Sequence, residues 1–69
     1  MKWFVVIVEC WKHWDSENST VKSEVVYAED ASNAMREATD WVFERGFGAV
    51  TIHEVLRVED NWARLVFRA

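Results

Sequence analysis

The chain has 69 residues, and a domain of this size buries only about 60% of its unfolded surface, so its stability depends on an apolar core. Its single cysteine, Cys10, excludes an internal disulfide, and no Cys/His cluster at ligand spacing offers a structural metal site. The net charge of -4 argues against a protein that coats nucleic acid, and no apolar run approaches the roughly 20 residues that span a membrane.

Residues 3–11 are β-branched and aromatic, which predicts a first strand. One face of this strand carries Phe4, Val6, Val8 and Cys10, and the other carries Trp3, Val5, Ile7, Glu9 and Trp11. Both faces are largely apolar, as is typical of a central strand. The polar residues 12–20 predict a loop, and the mixed residues 21–29 predict a second strand at a sheet edge.

Asp30 predicts the start of a helix at Ala31, because its carboxylate can accept from the free amides of the first turn. Apolar residues then recur at helical spacing and form one stripe of Ala31, Ala34, Met35, Ala38 and Val42. Gly46 predicts the end of the helix, since glycine adopts the left-handed conformation without strain. The outer side of the helix is acidic and carries Glu37, Asp40 and Glu44.

From Val50 the hydrophobic period returns to two and predicts a third strand. Its inner face is expected to carry Val50, Ile52, Leu56 and Val58, and its outer face Thr51, His53, Val55 and Arg57. Asp60-Asn61 predicts a hairpin turn into a fourth strand, in which Arg64 faces Arg57.

The element order predicts a single α+β domain over residues 1–69 with a two-layer ββαββ architecture. A right-handed crossover from the second strand over the first gives a four-stranded antiparallel sheet in the order 2-1-3-4. One helix covers one face of this sheet, and no other predicted element covers the second face.

The main functional prediction is that this second face binds a partner. Large apolar patches ringed by polar groups mark interaction sites, and tryptophan and arginine dominate interface hot spots. The facing Arg57 and Arg64 repel each other unless a partner neutralises them. We therefore expect the partner-binding residues to be Trp3, Trp11, His53, Arg57, Trp62, Arg64 and Arg68.

The sequence is compatible with three different ways of covering the second face. One is another macromolecule, one is a second copy packed sheet to sheet in a homodimer, and one is the 12–20 loop folded back with Trp14 on the sheet. The acidic helix side, with Glu37, Asp40 and Glu44, is a second candidate surface, because it resembles a phosphate backbone in charge and would suit a basic groove.

No combination of residues predicts catalysis or cofactor binding. His13 and His53 lie far apart in the predicted topology, and Cys10 lies on an apolar face, where cysteine packs as a small core residue. The sequence contains no Gly-rich phosphate loop, paired carboxylate site or nucleophile–base pair. We expect a cytoplasmic, non-enzymatic protein with no metal, cofactor, membrane or direct nucleic-acid partner.

Four segments together resemble a known family: residues 2–9, residues 26–30, an alanine-rich helix containing Asp40-Trp41, and Gly46-Phe47 before the third strand. They resemble the small phage inhibitor of bacterial RNA polymerase, a ββαβ domain that binds the polymerase jaw and blocks open-complex formation. His53 and Arg57 stand approximately where that family has paired arginines.

The size and the additional terminal hairpin are similar to those of ββαββ anti-CRISPR proteins, which dock on a Cas surveillance complex and occlude its DNA path. Both likenesses imply a phage-encoded inhibitor that acts in the host cytoplasm by occupying a surface of a host protein–nucleic-acid machine. We rank an anti-CRISPR function first and inhibition of RNA polymerase second, and a homodimeric bacterial interaction module stays open as a third alternative.

Overall fold

The computed structural model describes residues 1–58, which form three strands and one helix. The elements are β1 (Lys2–Lys12), β2 (Asp15–Ala28), α1 (Ala31–Glu44) and β3 (Phe47–Val58). The strands form an antiparallel sheet in the order β2-β1-β3, and α1 packs on one face of it. The predicted α+β class and the order of these three strands are confirmed. The fourth strand and its Asp60-Asn61 turn lie outside the described residues.

The core lies between α1 and the face of β1 that carries Phe4, Val6, Val8 and Cys10. The side chains of Val6, Val8 and Cys10 are fully buried there, as are those of Ala38 and Val42 on the helix. Alanine at the contact positions of α1 lets the helix backbone approach the sheet closely. Because the helix supplies small side chains and the strand supplies branched ones, the two layers fill the space between them.

Both predicted ends of α1 are confirmed. The side chain of Asp30 accepts a hydrogen bond from the backbone N–H of Asn33 at 2.9 Å, which satisfies one amide of the first turn. Gly46 follows the last turn with φ of 92°, a left-handed conformation that glycine adopts without strain. The helix is therefore fixed at each end by a local signal. Ala34, Ala38 and Val42 of the predicted stripe are buried, whereas Ala31 at its start is exposed.

The prediction of a loop over residues 12–20 is wrong. The chain reverses at His13 and Trp14, and β2 begins at Asp15 and pairs with β1 in an unbroken register from Ser19 to Ala28. The carboxylate of Asp15 accepts from the backbone N–H groups of Glu17 and Asn18 at 3.2 and 3.1 Å, which stabilises the irregular start of the strand. Trp14 is 77% exposed, so it does not pack back on the sheet.

The third strand begins at Phe47 and contains a β-bulge at His53. Ile52 pairs with Val8 and Glu54 pairs with Ile7, which leaves His53 as the extra residue between them. Every later residue is therefore shifted by one position relative to strict alternation.

The bulge overturns the predicted faces of residues 55–58. Val55 pairs with Val6, and Arg57 pairs with Phe4, so both lie on the helix side of the sheet. Leu56 and Val58 lie on the other face for the same reason. The prediction that Arg57 belongs to the uncovered face is wrong, because strict alternation cannot represent an inserted residue.

Candidate interaction surface

The candidate site is the sheet surface opposite α1, which we call the outer face. The register places on it Trp3, Val5, Ile7, Glu9 and Trp11 of β1, Ser19, Val21, Ser23, Val25 and Tyr27 of β2, and Ala49, Thr51, His53, Glu54, Leu56 and Val58 of β3. Its large apolar side chains include Val21 at 64% exposure, Leu56 at 44% and Trp3 at 39%. No helix of the described residues covers this face, since α1 packs on the opposite one.

One end of the outer face is aromatic. Trp3 and Tyr27 are cross-strand partners with ring centroids 4.8 Å apart and planes tilted by 44°. On the other side of β1, Val58 is the partner of Trp3 and Leu56 is the partner of Val5. The pairing of aromatic and aliphatic side chains across three strands makes this end apolar.

The middle of the outer face contains a polar cluster that links all three strands. His53 Nε2 donates a hydrogen bond to Glu9 Oε1 at 2.8 Å, and the Ser19 hydroxyl donates to Glu9 Oε2. These hydrogen bonds, the Ser19 hydroxyl first and the His53 ring second, hold the pKa of the Glu9 carboxyl below its ordinary value. His53 lies two residues after Thr51, the cross-strand partner of Glu9, and so is within reach of that carboxylate.

The order of contacts in this cluster determines its chemistry. The carboxylate of Glu9 stands between the Ser19 hydroxyl and the His53 ring, and a general base must reach the proton that it removes. The imidazole therefore has no direct contact through which to activate the hydroxyl. The cluster ties the strands together and places one polar group within an apolar face.

The hairpin end of the outer face contains an open groove of about 310 Å³ beside Trp11. Its lining residues are Trp11, Lys12, His13, Ser16, Gly48 and Ala49. The His13 ring lies so close to Gly48 that a Cβ at residue 48 would come within 2.6 Å of His13 Nδ1. Glycine at this position therefore allows the ring to lie over the start of β3.

The predicted partner-binding residues separate into three groups. Trp3, Trp11 and His53 lie on the outer face, as predicted. Arg57 lies on the helix side. Trp62, Arg64 and Arg68 lie outside the described residues.

Sequence reasoning missed the contribution of β2 to the outer face. Val21, Val25 and Tyr27 are all exposed there, and Tyr27 completes the aromatic pair with Trp3. The signal that could have identified them is the alternation along β2, in which Val21, Val25 and Tyr27 share one face. The prediction of an edge strand over residues 21–29 assigns no faces to it and so omits these residues from the outer face.

The helix surface offers a different chemistry. Glu37, Asp40 and Glu44 are exposed, as predicted, and Phe43 beside them is 47% exposed. The Arg45 guanidinium lies 4.3 Å from the centre of the Trp41 ring, which screens part of that aromatic surface. This surface is acidic with one exposed aromatic residue, whereas the outer face is largely apolar and carries the polar cluster and the exposed polar side chains of Ser23, Thr51 and Glu54.

Within residues 1–58, no three His, Cys, Asp or Glu side chains converge in a way that could hold a metal ion. No helix in that part of the chain is long and apolar enough to cross a membrane. Comparisons of the chain with protein-family models, with curated proteins and with solved structures find no match.

Proposed function

We propose that this chain is a small inhibitor that acts without catalysis by occupying a surface of a host protein–nucleic-acid machine, and that its outer face is the docking surface. The observation that carries the proposal is the apolar outer face, which the described helix leaves uncovered. Keeping Val21, Tyr27 and Leu56 in contact with water forgoes stabilisation that a marginal domain of this size needs. Binding to a partner recovers that stabilisation.

The outer face has the composition of an interface core. Aromatic residues are enriched at interfaces, and charged residues are depleted at their centres. On this face Trp3 packs on Tyr27, and the charge of Glu9 is held by Ser19 and His53. Side chains that already pack on each other lose little conformational entropy on binding.

The target that we place first is a Cas surveillance complex, with the protein acting as an anti-CRISPR in the cytoplasm of a phage-infected cell. The second is bacterial RNA polymerase, which is favoured by the β1-β2-α1-β3 order that residues 1–58 share with the polymerase inhibitor family they resemble. A fourth strand after Asp60-Asn61, on the free edge of β3, is part of the proposal.

The test measures binding of the purified chain to purified Cas surveillance complexes and to purified RNA polymerase. Leu56→Ala and Tyr27→Ala each remove an exposed side chain from the outer face and are expected to weaken binding tenfold or more, as about 1.4 kcal/mol per hot-spot side chain implies. Phe43→Ala is the matched control, because Phe43 on α1 is exposed to the same degree as Tyr27.

The outcomes separate the candidate surfaces. Loss of binding in the two outer-face variants, with normal circular dichroism and an unchanged Phe43→Ala variant, supports the proposal. Loss only in Phe43→Ala or in Glu37→Lys moves the docking surface to the acidic helix. Failure of the native chain to bind either machine contradicts the proposed targets.

A further inference from the structure

We propose that two copies of this chain associate through the free edge of β2 and form one continuous antiparallel sheet, with a two-fold axis at Ser23. This inference does not depend on the proposed inhibitor function. It concerns the edge of the sheet, whereas the proposed docking surface is its outer face. The edge pairing leaves both outer faces open and places them side by side.

The first observation is the length of the unpaired edge. The sheet order β2-β1-β3 leaves one side of β2 without a hydrogen-bonded neighbour among residues 1–58. From Ser19 to Ala28 this strand pairs with β1 without interruption, so its opposite side presents a regular row of backbone N–H and C=O groups. A long regular edge without proline or a bulge is a template for another strand.

The second observation is that the edge is complementary to itself in charge. Lys22 and Glu24 stand two positions apart on the helix side of β2, where they are the partners of Val8 and Val6. Antiparallel pairing about Ser23 places Lys22 opposite Glu24 of the second copy, and Glu24 opposite its Lys22. Inward-pointing charges of one sign keep edges apart, whereas this arrangement of two signs forms two opposite-charge pairs.

The third observation is that the same register matches the apolar residues. Val21 falls opposite Val25 of the second copy, and by symmetry the reverse pair also forms, so that the four exposed valines make two cross-strand pairs on the outer face. Val26 falls opposite Thr20, and Tyr27 falls opposite Ser19. Nine residues of each copy, residues 19–27, take part.

The neighbouring symmetric registers lack this match. A two-fold axis at Lys22 places Lys22 opposite its own copy, and a two-fold axis at Glu24 places Glu24 opposite its own copy, so each brings like charges together. A two-fold axis at Val25 places Lys22 opposite Ala28 and Glu24 opposite Val26, so that neither charge has a partner. A two-fold axis at Val21 places Lys22 opposite Thr20 and Glu24 opposite Asn18. Of these five registers, only the one centred on Ser23 pairs both the charges and the valines, which is why we commit to it.

The test is a charge-swap experiment on the full chain, followed by sedimentation velocity over a concentration series. The native chain is expected to dimerise. Lys22→Glu places Glu opposite Glu twice, and Glu24→Lys places Lys opposite Lys twice, so each variant alone is expected to raise the dimer Kd about tenfold or more. An equal mixture of the two variants restores both opposite-charge pairs and is expected to dimerise as the native chain does.

Two controls carry the same changes of charge away from the β2 edge. Lys2→Glu at the exposed start of β1 and Glu29→Lys after β2 are expected to leave the native Kd unchanged. Recovery of dimers in the mixture also shows that both single variants are folded, so a folding defect is not mistaken for support. A monomeric native chain, a dimer unaffected by either single reversal, or a mixture that stays monomeric each overturns the proposal.

Discussion

The two faces of β1 carry the same kind of side chain but differ in how deeply those side chains are buried. Val6 and Val8 are fully buried under α1, whereas Val5 and Ile7, which alternate with them, are only half-buried on the outer face. The residue types are nearly identical, so the difference lies in what covers them. The inner face is covered by α1, whereas no helix of the described residues covers the outer face.

The inner face should tolerate no charge. Ala38 has no exposed surface, and Ala38→Asp would bury a carboxylate without a partner at a cost of several kcal/mol, about as much as the whole stability of a small domain. We expect the variant to lose its cooperative thermal transition in circular dichroism. Ala31→Asp, in the exposed first turn of the same helix, is the control and should melt near the native temperature. Equal stability of the two variants would show that the helix is rotated from the described position.

A pair of adjacent valines sharpens the comparison. Val6→Ala removes two buried methyl groups and should cost about 2 kcal/mol, whereas Val5→Ala on the outer face should cost about half of that or less. Urea unfolding of both variants measures the difference directly, because the substitution and the strand are the same. Equal losses would mean that the outer face is as well covered in solution as the inner one.

The smallest expected effect concerns the polar cluster at the centre of the outer face. The Ser19 and His53 hydrogen bonds lower the pKa of Glu9, so the ionised carboxylate stabilises the folded chain above the pKa that Glu9 has when unfolded. This contribution disappears as the pH falls through the lower, folded pKa. Glu9→Gln keeps the size of the side chain without the charge.

The measurement is the urea midpoint of native chain and Glu9→Gln between about pH 7 and about pH 3. We expect the native chain to be the more stable at the upper end and the difference to shrink towards the lower end. Glu54→Gln, on the same face and strand as His53, is the matched control. A constant difference across the range would exclude ionisation of Glu9 as its source.

The helix and the central strand were predictable because their signals are local. Asp30 and Gly46 determine the ends of α1 within a few residues, and the apolar alternation of β1 assigns both of its faces. The order of the strands followed from the handedness of the crossover. None of these predictions requires knowledge of a distant contact.

The bulge and the long hairpin were not predictable in this way. After His53, apolar residues occupy both phases of the alternation, with Val55 in one and Leu56 in the other, so the sequence does not show which set faces the helix. The polar residues from Asp15 to Thr20 have the composition of a loop, yet pairing with the long β1 holds them extended. In both places a tertiary contact overrides the local pattern.

The bulge also has a genetic consequence. His53 is one additional residue in β3, and the pairing with β1 is continuous on both sides of it, because Ile52 and Glu54 have consecutive partners on β1. Loss of its codon would leave every downstream residue on the face that it now occupies and would remove only the imidazole beside Glu9. A related gene without this codon would therefore encode the same two faces. A sequence alignment with its gap placed further downstream would assign Leu56 and Arg57 to the wrong ones.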